Sequence, residues 1–382
     1  MSKIKIAALI AASAIVSSIL TLGVLCYGLG LTGQKIGDVL RFAGVLRFIE
    51  SRYVTEVDST KLMDGAITGM VEALEDPHSI YLAPEMYHRL QEHTAGSFGG
   101  VGIYMGFKGG KVSVLSVMED SPAAKAGILA NDEILAVDGT PVTEIQPEEV
   151  AIRIRGEVGT DVILSVHREG EENREYTITR DTIQVKTAAG KMLEDGLGYI
   201  RIASFSENTP QEFRSAYDAL EQEGMKGLII DLRQNPGGLV TSCVAIANMV
   251  VPEGPVVSVV ERDGSKEEYV STLEKEKFPL VAIIDGNSAS AAEILAGAIQ
   301  DRNAGTLVGA KSYGKGSVQV VMPMFHDDAV KITIAKYYTP SGRSIDGVGI
   351  EPDVPVELGA EDTTDVQLTK AEAVLKEKIA SY

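Results

Sequence analysis

The chain has 382 residues, a formal net charge of −19 and a hydrophobic content of 45%. This length and composition allow two hydrophobic cores, and the charged fraction of 23% does not favour disorder. The net negative charge opposes binding to phosphate backbones, so we expect no nucleic acid partner. The two cysteines, Cys26 and Cys243, cannot form a disulfide framework, and the five histidines contain no HExxH pattern. We therefore expect no metal and no cofactor.

The amino-terminal segment, residues 1–35, is predicted to be a membrane anchor. Two lysines precede an apolar run over 6–31, and no further charge occurs before Lys35. About 25 such residues can span a hydrocarbon core of ~30 Å as a helix. A retained anchor is favoured over a cleaved signal peptide, because the only A-x-A triplet, 12–14, lies inside the run. The flanking lysines predict a cytoplasmic start and an extracytoplasmic remainder at the cell membrane.

Two different patterns follow the predicted anchor. Apolar residues recur at helical spacing over 36–94, which indicates a helical region. Over 95–180 the pattern changes to short β-rich runs separated by Gly, Asp and Pro turns, which indicates a mainly-β domain. Its predicted strands cover 112–117, 134–137, 162–166 and 176–178, and its two short helices cover 122–126 and 147–154.

From residue 181 to about 358, apolar strands and amphipathic helices alternate. Such alternation implies parallel strands joined by crossover helices, and therefore an α/β core. The predicted strands are 198–202, 227–232 and 280–285, and the predicted helices are 209–223, 239–250 and 290–302. Residues 359–382 are predicted to be a C-terminal helical extension.

The β-rich segment resembles a PDZ domain. Gly100, Val101, Gly102 and Ile103 match the glycine–hydrophobic loop that precedes the second strand of that family. Backbone N–H groups in such a loop can hold the terminal carboxylate of a peptide. Further matching blocks lie at 121–128, 132–139, 154–156 and 159–160. The resemblance implies polypeptide partners bound at these four residues through their C-terminal carboxylates, although a tight turn alone would also explain the glycines.

A small-residue turn after strand 281–285 can present Ser290 as a nucleophile. The turn would place the hydroxyl at the carboxyl end of a sheet, beside the N–H groups at the start of a helix. The same residues also form a capping-box pattern, because Glu293 follows Ser290 by three positions. This segment alone does not distinguish catalysis from capping.

Lys315 lies in a segment, 309–316, that nearly matches a phosphate-binding loop. Gly316 stands where that motif needs Ser or Thr to bind magnesium, so we reject a nucleotide site. A lysine between two glycines can be an ordinary surface residue. If close-packed backbone held it, its pKa would fall from ~10.4 and it could accept the proton of a serine.

Several blocks together resemble the carboxy-terminal processing (tail-specific) protease family. The likeness covers roughly residues 40–355 and implies a serine endopeptidase with Ser290 as nucleophile and Lys315 as general base. Many members carry serine where this chain has Ala292, which lies outside the proposed pair. The matching blocks are 76–79, 232–238, 287–294, 314–316, 338–343 and 349–353.

The family resemblance also implies roles for residues around this pair. Gln319 matches the polar residue that orients the lysine, and Glu293 matches a second position used for the same purpose. The backbone N–H groups of Ala291 and Gly237 are the candidates that would stabilise an oxyanion, although a plain turn would also explain Gly237.

The implied architecture is a crotonase-like α/β catalytic core with an inserted mainly-β PDZ domain, after an N-terminal helical region and a transmembrane anchor. Two rival functions stay open. One is an acyl-CoA enzyme on the same fold, which the predicted anchor and PDZ segment oppose. The other is a non-catalytic, membrane-tethered PDZ scaffold, which an intact Ser290 and Lys315 oppose. A homo-oligomer is also left open.

Overall fold

The computed structural model describes residues 13–18, 20–21, 23–24, 28, 30, 33–357, 359 and 364–381. The chain forms two compact units, one that ends at Glu75 and one that begins at Asp76. The helices are α1 (Gly33–Arg52), α2 (Ser59–Glu72), α3 (Pro84–Ala95), α4 (Pro122–Ala126), α5 (Pro147–Ile154), α6 (Thr209–Gln222), α7 (Val240–Val250), α8 (Ala291–Asp301) and α9 (Val366–Ser381). The strands are β1 (Ile80–Leu82), β2 (Ser97–Gly100), β3 (Ile103–Lys108), β4 (Lys111–Val117), β5 (Glu133–Val137), β6 (Thr140–Pro141), β7 (Asp161–His167), β8 (Arg174–Thr179), β9 (Asp181–Gln184), β10 (Ala188–Met192), β11 (Leu197–Ile202), β12 (Gly227–Asp231), β13 (Gly254–Glu261), β14 (Lys266–Ser271), β15 (Leu280–Ile284), β16 (Thr306–Gly309), β17 (Ser317–Pro323), β18 (Ala329–Tyr338) and β19 (Val354–Pro355).

The first unit contains helices α1 and α2. Asp58 caps α2, because its side chain accepts hydrogen bonds from the backbone N–H groups of Thr60 and Lys61 at 2.8 and 3.3 Å. Val71 is the buried residue of α2, whereas no residue of α1 is buried.

The predicted membrane anchor is wrong for the part of the chain that the structure describes. A span needs ~20 consecutive apolar residues. Among the described residues, no helix is both long enough and apolar enough to cross a membrane, and the predicted single-pass, extracytoplasmic localisation is overturned with it. Residues 1–12, 19, 22, 25–27, 29 and 31–32 of the predicted anchor lie outside the described residues. Helix α1 has 20 residues, but it carries Lys35, Asp38, Arg41, Arg47, Glu50 and Arg52.

The second unit contains a β-rich domain with its own hydrophobic core. Its sheet has the antiparallel strand order β3-β4-β5-β7-β8, with β6 paired to β5. Alternate residues of β4 and β7 are buried, and α4 and α5 add apolar side chains to the same core. Strand β3 lies at the edge of the sheet, so its outer backbone groups are available to an added strand.

A largely parallel sheet follows, with the strand order β10-β11-β12-β15-β16-β19. Strands β11 to β19 pair in parallel, and β10 pairs antiparallel at one edge. Every residue of β12 and β15 is buried, as expected for parallel strands covered on both faces. Helices α6, α7 and α8 contribute to the core on one face, and α9 contributes Ala371 and Leu375 on the other.

A second, antiparallel sheet has the order β1-β18-β13-β14, with β17 also paired to β18. The alternating pattern after residue 181 does not predict this sheet, because its strands are half-exposed hairpins instead of buried apolar runs. Strand β1 brings Ile80 opposite Lys331 of β18. Tyr81 then donates a hydrogen bond to Asp328 at 2.8 Å.

Two turns at the carboxyl ends of β12 and β15 meet and position the candidate site. The N–H of Ala289 donates to the carbonyl of Asn235 at 2.9 Å. The hydroxyl of Ser288 donates to the carbonyl of Leu232 at 2.8 Å. The segment after β12 and the start of α8 are therefore held against each other.

Candidate active site

Ser290 lies at the start of helix α8 in an unusual backbone conformation. Its φ of 54° and ψ of −115° are rare for a residue with a side chain, and such strain persists only where the surroundings enforce it. Its N–H donates to Glu293 Oε2 at 2.8 Å, and its carbonyl accepts from the N–H of Ile294 at 2.9 Å. The glutamate part of the predicted capping box is therefore present. The side chain is largely buried, with 6% of the residue exposed.

Glu293 connects the turn at Ser290 to the lysine loop, which is the segment 310–316 between β16 and β17. Its buried carboxylate accepts hydrogen bonds from four donors: the N–H of Ser290 at 2.8 Å, the hydroxyl of Ser312 at 2.6 Å, and the N–H groups of Gly314 and Lys315 at 2.7 and 2.8 Å. Glu293 thus contacts the backbone of Lys315 through a direct hydrogen bond. The sequence identifies Glu293 as a candidate, but it does not reveal this bridging contact.

Lys315 is half-buried and faces the same cleft as Ser290. Burial lowers the pKa of its ammonium group, and the positive charge of Lys331 lowers it further. The negative charges of Glu293 and Asp76 act in the opposite direction, and the net pKa lies below the usual lysine range. This direction is the one that a general base requires.

Gln319 lies on β17, with its side chain directed toward β18. Its Nε2 donates to the hydroxyl of Ser317 at 2.9 Å and to the hydroxyl of Thr333 at 3.1 Å. It also lines the cleft that contains Ser290 and Lys315. Its predicted role in orienting the lysine stays a prediction.

Gly237 lies so close to Ser290 that a side chain at position 237 would not fit. A Cβ at this position would lie 2.7 Å from Ser290 Cβ and 2.8 Å from the carbonyl oxygen of Ala289, at a φ of +102°. The Gly237 N–H donates to Asn235 Oδ1 at 2.8 Å. The N–H of Ala291 belongs to the first turn of α8, where helix geometry provides no intrahelical acceptor.

These groups line an open cleft of about 790 Å³. Two of the lining residues to which the sequence prediction assigns no role are Tyr337 and Lys331. Burial raises the pKa of Tyr337 to about 12, and the neighbouring Ser290 acts in the opposite direction. Lys331 lies on β18, where strand alternation places it on the face of Thr333, but only once that strand is recognised. The walls are formed by Tyr87, Leu90, Gln91, His93, Thr94, Ala95, Phe205, Glu207, Pro236, Gly237, Gly238, Leu239, Val240, Thr241, Ser290, Lys315, Val318, Gln319, Val321, Lys331 and Tyr337.

The predicted carboxylate loop precedes the edge strand β3. The carbonyl of Val101 accepts from the N–H of Ala123 at 2.9 Å, and the carbonyl of Gly102 accepts from the N–H of Met118 at 2.9 Å. Gly102 has a φ of +80°, and a Cβ there would lie 2.4 Å from Ser121 Cβ. The turn therefore needs a glycine, and binding of a carboxylate by Gly100 to Ile103 stays a prediction.

Family models match three parts of the chain: an activating protease CtpB N-terminal domain over 32–86, a PDZ domain over 113–168 and peptidase family S41 over 196–356. The carboxy-terminal-processing protease of Bartonella bacilliformis is 38% identical, with 84% of this chain and 75% of that protein covered. The carboxy-terminal processing protease CtpA of Bacillus subtilis is also 38% identical, with 93% and 78% covered. This chain belongs to the carboxy-terminal processing proteases of family S41.

A solved structure of a processing protease supports the same conclusion. The structure of a photosystem II D1 C-terminal processing protease has 29% identity and a TM-score of 0.50, covering 89% of this chain and 98% of that chain. The predicted family, the PDZ domain and the serine-type peptidase activity are thereby confirmed. The bounds of the predicted domains and the roles of single residues remain predictions.

Proposed function

We propose that this S41 peptidase hydrolyses polypeptides recognised through their C-terminal tails, with Ser290 and Lys315 as its reacting pair. One observation carries the proposal: both residues line one cleft, and the buried carboxylate of Glu293 bonds to the backbone of each. Binding by one rigid acceptor fixes the nucleophile turn relative to the lysine loop. Fixed geometry of this kind is what a serine–lysine mechanism requires.

In the proposed mechanism, neutral Lys315 takes the proton of the Ser290 hydroxyl while Oγ attacks the peptide carbonyl. The tetrahedral intermediate collapses, the C–N bond breaks, and the lysine ammonium gives its proton to the leaving amine. An ester between Ser290 and the remaining peptide results. Lys315 then takes a proton from water while the water oxygen attacks the ester carbonyl. The second tetrahedral intermediate collapses, the C–O bond to Ser290 breaks, and the lysine ammonium returns its proton to Oγ, which releases the acid and restores Ser290 and neutral Lys315.

The oxyanion of each intermediate needs hydrogen-bond donors. We assign these to the N–H groups of Ala291 and Gly237, because the backbone of Gly237 lies against the Ser290 side chain. The N–H of Gly237 donates to Asn235 Oδ1. It must therefore exchange or share that partner when negative charge develops on the substrate oxygen.

We further propose that the PDZ domain binds the substrate tail. An extended tail would add as a strand to the free edge of β3, and its carboxylate would occupy the loop from Gly100 to Ile103. The position of β3 at the sheet edge supports this arrangement. The crotonase-like description of the parallel core belongs to the same proposal.

A peptide-cleavage assay tests the reacting pair. We expect Ser290→Ala and Lys315→Arg to reduce turnover to background, because alanine has no hydroxyl and arginine does not deprotonate. Lys311→Arg is the matched control, since Lys311 lies in the same loop but is exposed and paired with Glu351 at 2.8 Å. The Ser–Lys mechanism is wrong if Lys315→Arg cleaves as fast as the Lys311→Arg control. A non-catalytic scaffold would show no turnover in the wild type either.

A further inference from the structure

A second lysine, Lys331, lines the cleft without a part in the mechanism above. It is half-buried on β18, where it lies opposite Ile80 of β1 and Val321 of β17. These two neighbouring strands hold the backbone of Lys331 on a rigid element. A charged group on such an element has a fixed position relative to the cleft.

The alternation of β18 places Lys331 on the face of the strand that carries Thr333. Residues 331 and 333 share this face, and a bulge between 333 and 335 interrupts the alternation before Tyr337. Thr333 accepts a hydrogen bond from Gln319 at 3.1 Å, and Gln319 lines the cleft together with Ser290 and Lys315. Lys331 therefore belongs to the face of β18 that borders the reacting groups.

Lys331 has no counter-ion among the described residues, since none of their ion pairs involves it. The other ionisable groups of the cleft wall are Tyr87, His93, Glu207, Lys315 and Tyr337, and Glu207 is exposed. When Lys315 is neutral and acts as the base, Lys331 is the lysine of the cleft wall that carries a positive charge. A half-buried cation in this setting attracts an anionic group from a ligand.

We propose that Lys331 forms a carboxylate-binding subsite within the catalytic cleft. Its ammonium group would pair with a carboxylate of the bound polypeptide, supplied by the free chain end or by an Asp or Glu side chain. Charge-assisted hydrogen bonds of this type are about twice as strong as neutral ones. The inference rests on the proposed function, because it needs a polypeptide bound across Ser290 and Lys315.

The strand also limits the distance from this subsite to the scissile bond. Lys331 and Tyr337 are six positions apart on β18, which corresponds to ~20 Å at ~3.3 Å per residue. Tyr337 and Ser290 line the same cleft, so we expect the carboxylate to lie within about that distance of the nucleophile. An extended peptide covers ~20 Å with about six residues. We therefore expect a preference for a carboxylate within about six residues of the cleaved bond.

Paired peptides test the subsite. The two peptides of a pair have the same sequence, and one ends in a free carboxylate while the other ends in an amide. The chain ends about three residues after the scissile bond in the short pair and about twelve residues after it in the long pair, so the pairs lie on either side of the limit of about six residues. For the short pair, we expect Lys331→Gln to reduce the acid-to-amide ratio of kcat/KM about tenfold relative to wild type. For the long pair, the ratio should stay at the wild-type value, because only the PDZ loop then reads the chain end.

Further peptides and variants distinguish the two sources of carboxylate and provide the control. Amidated short peptides with one Asp in place of Asn report side-chain carboxylates alone, and Lys331→Glu should reverse either preference. Lys266→Gln is the matched control, because Lys266 lies in the same sheet on β14 but is exposed and paired with Glu268 at 2.8 Å. We expect it to keep every wild-type ratio.

The subsite is refuted if Lys331→Gln keeps the wild-type ratios in the short pair and in the Asp–Asn pair. Inactivity of Ser290→Ala in the same assay would still uphold the proposed function, whereas full activity of Ser290→Ala would remove that function. If Lys331→Gln does not fold, Lys331→Arg and Lys331→Met decide. The subsite is supported if Lys331→Arg keeps the wild-type acid-to-amide ratio of kcat/KM while Lys331→Met reduces it. The subsite is overturned if both variants give the same ratio.

Discussion

Replacing Glu293 with glutamine perturbs the contact that joins the nucleophile turn to the lysine loop. Oε1 accepts from the Ser312 hydroxyl and the Gly314 N–H, and Oε2 accepts from the N–H groups of Ser290 and Lys315. A glutamine side chain offers one oxygen and one NH₂ group. Two of the four donors must therefore face another donor in a site that excludes water.

The size of the effect follows from these contacts. The less costly orientation turns the NH₂ group toward Ser312, whose hydroxyl can rotate and accept, and leaves the Gly314 N–H without an acceptor. One buried unpaired donor costs ~1–3 kcal/mol, and loss of charge weakens the remaining bonds by about half. We expect Glu293→Gln to lower the free energy of unfolding by ~2–4 kcal/mol, from a typical total of ~5–15 kcal/mol. Because both reacting residues depend on this acceptor, kcat should fall by more than about tenfold.

Urea unfolding and peptide cleavage measure the two effects on the same samples. Glu351→Gln is the control, since Glu351 forms an exposed pair with Lys311 at 2.8 Å and such pairs contribute only ~0–1 kcal/mol. Equal urea midpoints for the two variants, together with wild-type kcat in Glu293→Gln, would refute the bridging role of Glu293.

Two further predictions concern the base and the oxyanion side of the cleft. The rate should rise with pH as Lys315 loses its proton, with a midpoint below 10.5. Lys331→Gln should move that midpoint to higher pH, because the variant removes a cation that lowers the pKa of Lys315. A pH–rate profile that is the same in the variant and the wild type would contradict this. Gly237→Ala should reduce kcat by at least about 100-fold, because the added Cβ would lie 2.7 Å from Ser290 Cβ. Gly69→Ala, which adds a Cβ with nothing within 4 Å, should retain the wild-type kcat, and equal rates for the two alanine variants would argue against the placement of Gly237.

Local patterns are sufficient to predict the parallel core and the nucleophile turn. Strands β12 and β15 read as uninterrupted apolar runs because both faces are buried, and the small residues before Ser290 indicate a sharp turn. The carboxylate contact of Glu293 with the Ser290 N–H also follows from the capping-box pattern. In each case the signal lies within a few neighbouring residues.

Contacts between distant segments could not be predicted in this way. Tyr81 and Asp328 are 247 positions apart, yet their hydrogen bond joins β1 to the β18 sheet. The three contacts of Glu293 with the lysine loop are also long-range, and nothing in the sequence around Glu293 indicates them. The membrane anchor predicted from hydropathy is wrong for the described residues, because none of their helices is both long enough and apolar enough to cross a membrane.

The cleft draws its walls from segments as far apart in the chain as Tyr87 and Tyr337. A site built from such separated pieces exists only after the long-range pairings of both sheets have formed, which is a late event in folding. We therefore expect partly folded copies, in which Lys315 has not yet reached Glu293, to lack peptidase activity. An enzyme whose substrates are polypeptides is in this way inactive while its own chain is still unfolded.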